Sequence, residues 1–116
     1  MSDKEIEQQI QAKGKTAPRV TPDHIESVID TEWYINAGTG VIADDFQPPV
    51  PAKSPLNLLT ICVLVLKNGF TVTGESACAS PENFDSEIGR KIARANAVEK
   101  IWALEGYLLK QNLSEQ

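Results

Sequence analysis

Two apolar runs separated by Asn68-Gly69 constrain this chain more than any other feature. Asn and Gly both accept positive φ, and such a pair between strand-like runs specifies a tight β-hairpin. Upstream, Leu58 to Leu66 is dense in β-branched residues (Thr60, Ile61, Val63, Val65) and apolar on both faces of its alternation. That pattern predicts a strand covered on both sides. Downstream, Phe70-Thr71-Val72-Thr73 returns, with Thr71, Thr73 and Glu75 on one face and Phe70 and Val72 on the other. Gly74 leaves room for a bulge or a close backbone approach. A two-residue turn would pair Lys67 with Phe70, Val65 with Val72 and Cys62 with Glu75. Cys78 would then stand opposite Leu59, on the other face from Cys62. Alternate strand residues point to opposite faces, so two free thiols are expected rather than a disulfide.

A long helix follows. Ser80-Pro81-Glu82 is one start signal and Asp85 a rival cap, and the helical pattern runs to about Lys110. One apolar stripe holds Phe84, Ile88, Ile92, Ala95, Trp102 and Leu109. A second holds Val98, Ile101 and Leu108, with Ala97 and Leu104 beside it. Two stripes predict a helix buried on both sides, which a domain of 116 residues achieves most easily by self-association.

The first half is less ordered in pattern. Residues 3 to 13 can form a short helix, but a stripe of Ile6, Ile10 and Ala12 is too thin to hold it without a partner. Residues 1–20 are therefore expected to be a flexible arm, with Gly14 to Arg19 as a link, and residues 21–116 a single domain. Thr21-Pro22-Asp23 caps and starts a helix with Ile25, Val28 and Ile29 on its apolar face, predicted to end between Thr31 and Tyr34. Residues 36 to 56 carry Asn36, Gly38, Gly40, Asp44 and Asp45, then Pro48-Pro49-Val50-Pro51 and Pro55. Prolines at this density block helix and central strand, which predicts a long loop with a short strand at Gly40-Val41-Ile42. The expected fold class is α+β: a small antiparallel sheet built on a β-hairpin, packed against a long C-terminal helix, with a short N-terminal helix.

Composition narrows the function. A net charge of −5 disfavours duplex nucleic acid or an anionic membrane as partner, but permits one small anion in a local basic pocket. No apolar run reaches membrane-spanning length, and Met1-Ser2-Asp3-Lys4-Glu5 lacks the basic-then-apolar order of a signal peptide, so an intracellular protein is expected. His24 is the lone histidine, which argues against zinc; Asp44-Asp45 lacks calcium-loop spacing; Gly38-Thr39-Gly40 lacks the Gly-Lys-Ser/Thr of a phosphate loop. No catalytic residues, metal or cofactor are expected, and hence no enzyme.

The candidate ligand residues lie in the hairpin–helix unit. Arg90 and Arg94 are one helical turn apart and suit phosphate, each charged hydrogen bond contributing about 1.5–3 kcal/mol. Their bland alternative is a solvated face with an Arg90–Glu87 ion pair. Asn83 offers amide groups to a base or ribose edge, or caps a helix. Phe70, beside the turn, offers a stacking ring or covers a sheet edge. Thr73 offers a hydroxyl. Phe84, Trp33-Tyr34 and Trp102 suit core or interface packing better than a ligand cage.

The ordered set Asn68-Gly69-Phe70-Thr71-Val72-Thr73-Gly74-Glu75-Ser76, Asn83-Phe84-Asp85, Gly89-Arg90-Lys91, Ile101-Trp102 and Leu104-Glu105-Gly106-Tyr107-Leu108-Leu109 resembles the small phage-encoded gene forty-nine protein family. The likeness covers residues 57 to 110, and the helix at Thr21-Pro22 loosely. It extends to the type-one Thoeris anti-defence proteins. The resemblance implies a sponge in the cytoplasm of the infected bacterial host. Such a protein binds the cyclic ADP-ribose isomer made by host immunity, and in some members a cyclic dinucleotide or trinucleotide, without degrading it. It also implies a homo-oligomer, a dimer or hexamer. Carried onto this chain, it implies stacking by Phe70, polar contacts from Thr73 and Asn83, and phosphate contacts from Arg90 and Arg94. The alternative is an inhibitor that binds a host defence protein directly, through loop 36–56 and the N-terminal arm.

Overall fold

The computed structural model describes residues 2–15 and 17–116. Met1 and Thr16, which belong to the arm expected over residues 1–20, lie outside the described residues. The order is α1 (Asp3–Ala12), α2 (Pro22–Ser27), β1 (Ile29–Asn36), α3 (Ala37–Ile42), β2 (Leu59–Leu66), β3 (Thr71–Ala77) and α4 (Ser86–Ser114). The three strands form one antiparallel sheet in the order β1-β2-β3. The expected α+β class holds: a hairpin-based antiparallel sheet carries a long C-terminal helix on one face.

Strand β1 corrects the sequence-based expectation. The helix starting at Thr21 stops at Ser27, not between Thr31 and Tyr34, and the chain turns directly into a strand paired with β2. Residues 31 to 35 (Thr, Glu, Trp, Tyr, Ile) favour strand over helix, and an unpaired apolar β2 edge supplies the partner. A second correction follows at Gly40-Val41-Ile42, which lies in α3 rather than in a strand. Asn36 caps that turn by accepting from Thr39 N at 3.2 Å.

The hairpin forms at Asn68-Gly69, but its register is one residue off the two-residue expectation. Leu66 N donates to Phe70 O at 2.8 Å and Gly69 N to Leu66 O at 2.9 Å, so Lys67, Asn68 and Gly69 make a three-residue loop. Gly69, at φ 89°, supplies the left-handed residue that such a loop requires. Cys62 therefore faces Gly74 rather than Glu75, and Val65 faces Thr71. Both cysteines are free.

Asp85, not Ser80, caps α4: its Oδ1 accepts from Glu87 N at 2.9 Å and Ile88 N at 3.1 Å. Ser80-Pro81 instead opens a short 3-10 turn at Pro81–Asn83. The helix extends to Ser114, beyond the expected Lys110. Its buried seam is Gly89, Ala93, Ala97 and Ile101, spaced four apart: Ala97 and Ile101 belong to the second expected stripe, whereas Gly89 and Ala93 lie in neither. Ile88, Ile92, Leu104 and Leu108 are exposed.

The seam is small because the sheet comes very close. A Cβ on Gly74 would overlap Ala93 O and Ala97 N, and a Cβ on Gly89 would crowd Thr60 Oγ1. Backbone meets backbone, so no larger residue fits at the crossing. Around it Ile25, Cys62, Leu64, Leu66, Val72 and Ile101 form the core.

The outer face of the sheet has no such cover. Trp33 and Ile35 are exposed there, and Ile61, Val63 and Val65 only half-buried. The expectation that β2 is covered on both sides fails within one chain, because the chain has one long helix and spends it on the inner face.

Candidate functional site

Helix α4 runs antiparallel to β3, from Gly89 beside Thr60 to Ala93 and Ala97 against Gly74, and on to Lys100 and Leu104 beside the hairpin end. This places the five candidate residues at two ends of one unit. Phe70 and Thr73 share a cleft of about 440 Å³ at the hairpin end, with Lys100 and Leu104 of α4 as its other wall. Phe70 is 54% exposed, a large apolar residue left in water in a cleft that Lys100, Thr71 and Thr73 also line. Lys100 escaped the sequence analysis. The signal for it was present: if Gly74 abuts the helix near Ala97, one further turn brings residue 100 level with Val72 and Phe70.

Asn83 lies at the opposite end, in a cleft of about 160 Å³ between Ser76, Cys78, Phe84 and Ile88. Cys78 Sγ donates to Ser80 O there at 3.1 Å. Arg90 lies near this end too. Ten residues of helix separate Arg90 from Lys100, roughly 15 Å at 1.5 Å per residue. Within one chain, then, Phe70 and Thr73 meet, while Asn83, Arg90 and Arg94 do not join them.

The arginine pair lies on the flank of α4 that overhangs β1. Arg94 Nη1 and Nη2 donate to the two carboxylate oxygens of Glu26 at 3.1 and 2.8 Å, and its Nε donates to Glu32 at 3.4 Å. The Arg94 guanidinium holds the Glu26 carboxyl below the usual carboxylate range. Glu26 first, then Glu32, raise Arg94 itself. Two carboxylates thus balance one guanidinium, and its charge is committed within the chain. Glu32 also accepts from Tyr34 Oη at 2.5 Å. Burial first and the Glu32 carboxylate second push the Tyr34 phenol up to about 12.

Arg90 differs. Its Cζ stands 5.2 Å from the centre of the Tyr34 ring, a cation–π geometry, and no carboxylate among the described residues pairs with it. The expected ion pair from Arg90 to Glu87 does not form; Glu87 pairs with Lys91 at 3.4 Å. Arg90 therefore rests against the Tyr34 ring with no ion pair among the described residues to take up its charge.

Helix α1 packs against the far end of α4. Trp102 Nε1 donates to Asp3 at 3.2 Å, and Arg19 forms a bidentate pair with Glu7 at 2.5 and 2.6 Å that lowers the Glu7 carboxyl to about 2. A hollow of about 370 Å³ lies beneath α1 between Ile6, Ile10, Val20 and Trp102, with Asp3, Glu7 and Glu99 at its rim. None of the five candidate residues lines it. Among the described residues, no group of three His, Cys, Asp or Glu is placed to hold a metal ion, and no helix is long and apolar enough to cross a membrane.

The sequence profile of the phage protein (N4 Gp49/phage Sf6 gene 66) family matches residues 20–113, from just before α2 almost to the end of α4. No curated protein and no solved structure matches the chain.

Proposed function

From the premise that this chain belongs to the phage protein (N4 Gp49/phage Sf6 gene 66) family, we propose that it binds and sequesters a cyclic ADP-ribose isomer made by host immunity, without degrading it. One observation carries the reading: an exposed phenylalanine and a lysine line a single cleft at the hairpin end, beside Thr71 and Thr73 of the edge strand. An aromatic face takes a base whatever its sequence context, hydroxyls take ribose, and the ammonium takes phosphate.

The second cation comes from Arg90. Because it stands at the other end of the unit, one ligand reaches both groups only if a second copy brings its Arg90 and Asn83 to the Phe70 cleft of the first. The open sheet face, with Trp33 and Ile35 exposed, is the apolar surface for that association. The protein therefore acts as a homo-oligomer, a dimer or a higher assembly of dimers, with room for a cyclic dinucleotide or trinucleotide at a separate subunit junction. Arg94 holds β1 to α2 and α4 and positions Arg90's neighbours rather than the ligand. The setting is the cytoplasm of the infected host, where the signal is made.

Calorimetric titration with synthetic cyclic ADP-ribose isomers tests this, followed by heat denaturation and recovery of the ligand. Saturable binding with intact ligand recovered is expected. Phe70→Ala and Arg90→Ala should each weaken it at least roughly tenfold, about 1.4 kcal/mol. Turnover of the ligand, or no binding by an assembled oligomer, overturns the reading.

A further inference from the structure

Helix α1 carries a pattern that the fold does not use up. Asp3, Ile6, Glu7 and Ile10 stand at spacings of three and four, so they share one face of the helix. That face is turned to the domain: Asp3 accepts from Trp102 Nε1 at 3.2 Å, and Glu7 is the bidentate partner of Arg19. Yet no residue of α1 is buried, and Ile6 is 43% exposed. An apolar face turned inward and still open to water has nothing filling the space beneath it.

That space is the hollow of about 370 Å³ beneath α1, large enough for a small organic molecule. Its apolar walls are Ile6 and Ile10 from α1, Val20 and Pro22 from the chain entering α2, and Trp102 from α4. Val20, Pro22 and Trp102 fall within the stretch 20–113 that the family profile matches, and α1 falls outside it. The floor of the hollow therefore belongs to the family domain, and its roof lies beyond the matched stretch.

Every charged residue that lines the hollow is acidic: Asp3, Glu7 and Glu99. Arg19 neutralises Glu7 and holds its carboxyl down to about 2. Asp3 and Glu99 have no cationic partner among the described residues, and the indole N–H that Asp3 accepts from is neutral. Lys4 lines the neighbouring cleft and not this one. Two uncompensated carboxylates repel an anion such as a free nucleotide. They attract a cation, and an indole ring in the wall adds a cation–π contribution to that attraction. The apolar remainder of the wall asks that the cation carry an apolar body.

We propose that the hollow beneath α1 is a binding site for a small organic ammonium ion, its charge at the rim by Asp3 and Glu99 and its apolar body between Ile6, Ile10, Val20 and Trp102. Such a ligand touches α1 and α4 at once, so its binding fastens α1 to the domain. A bare metal ion is a poor occupant, since among the described residues no group of three acidic, His or Cys side chains is placed to hold one. The site is separate from the nucleotide cleft: none of Phe70, Thr73, Lys100 and Arg90 lines the hollow. Either reading survives the failure of the other.

The test is an NMR titration of the 15N-labelled full chain with n-hexyltrimethylammonium. Saturable shifts are expected at the Trp102 indole N–H and at the Ile6 and Ile10 amides. The indole N–H of Trp33, on the outer sheet face, should keep its position, and Trp33→Phe assigns the two indole signals. Hexanol should bind at least tenfold more weakly than the cation, and hexanoate not at all. Glu99 is exposed, so Glu99→Gln leaves the fold intact and should weaken the cation at least threefold. Trp102→Leu should weaken it at least tenfold, followed at the Ile10 amide with the Val63 and Val72 amides as a control on folding. No saturable shift at millimolar probe, hexanol bound as tightly as the cation, or equal affinity in Glu99→Gln overturns the proposal.

Discussion

The two flanks of α4 hold the same sheet by opposite means. Toward β3 the helix is stripped to Gly89, Ala93 and Ala97 and lies backbone to backbone against Gly74. Toward β1 it reaches out with Arg90 and Arg94, which bridge the gap to Tyr34, Glu32 and Glu26. Close packing gains from dispersion and the exclusion of water, and any added atom defeats it. The charged flank spans distance, tolerates change and is partly wet, so each of its bonds contributes modestly. The helix is pinned on one side and adjustable on the other, and the free guanidinium stands on the adjustable side.

The sharpest way to break this contrast is Gly74→Val. Its side chain must displace the α4 backbone, and a loss of about 3 kcal/mol or more is expected, seen as an unfolded or aggregated chain in circular dichroism and urea titration. Ile101→Ala, which removes a fully buried side chain from the end of the same seam, should cost about 2–5 kcal/mol in urea denaturation. On the other flank Arg94→Met should cost only about 1 kcal/mol, since Glu26 and Glu32 are both substantially exposed. In that variant the Glu26 carboxyl should titrate back in the ordinary range, which carboxyl NMR resolves. A stability loss as large as that of Ile101→Ala would mean that the charged flank is as rigid as the seam.

The smallest effect concerns Tyr34. Its phenol is raised in the folded chain to about 12 from 10.0, so the fold retains that proton where the unfolded chain releases it. The associated stability is complete below pH 10 and is lost as pH rises from there through about 12. Absorbance at 295 nm should show one late phenol titration, absent in Tyr34→Phe. A Tyr34 midpoint near 10 would mean that the ring beneath Arg90 is not packed as described.

Local chemistry made much of this legible. Asn68-Gly69 announced the hairpin, the β-branched run announced β2, and the 3.6 periodicity announced α4. Gly74 in a strand signals a place of close approach, and α4 does approach it there. The errors share a cause. A capped start at Thr21 propagates on paper past Ser27, whereas in space the free edge of β2 makes a strand of the residues that follow. Of the two apolar stripes on α4, Ala97 and Ile101 are the buried members, and the sheet adds the small Gly89 and Ala93 in place of the larger residues around them. Arg94 looked free because the two glutamates that hold it are distant in sequence, at positions 26 and 32.

Turn chemistry, alternation and caps act over a few residues, and the order of residues determines them: the hairpin, the helix that follows it, the proline-rich loop and the absence of a zinc- or calcium-type motif. Which of two arginines stays available, which face of the sheet goes bare and which lysine meets Phe70 depend on side chains tens of residues apart. Only packing brings those together, because burial and charge pairing are settled by distance through space.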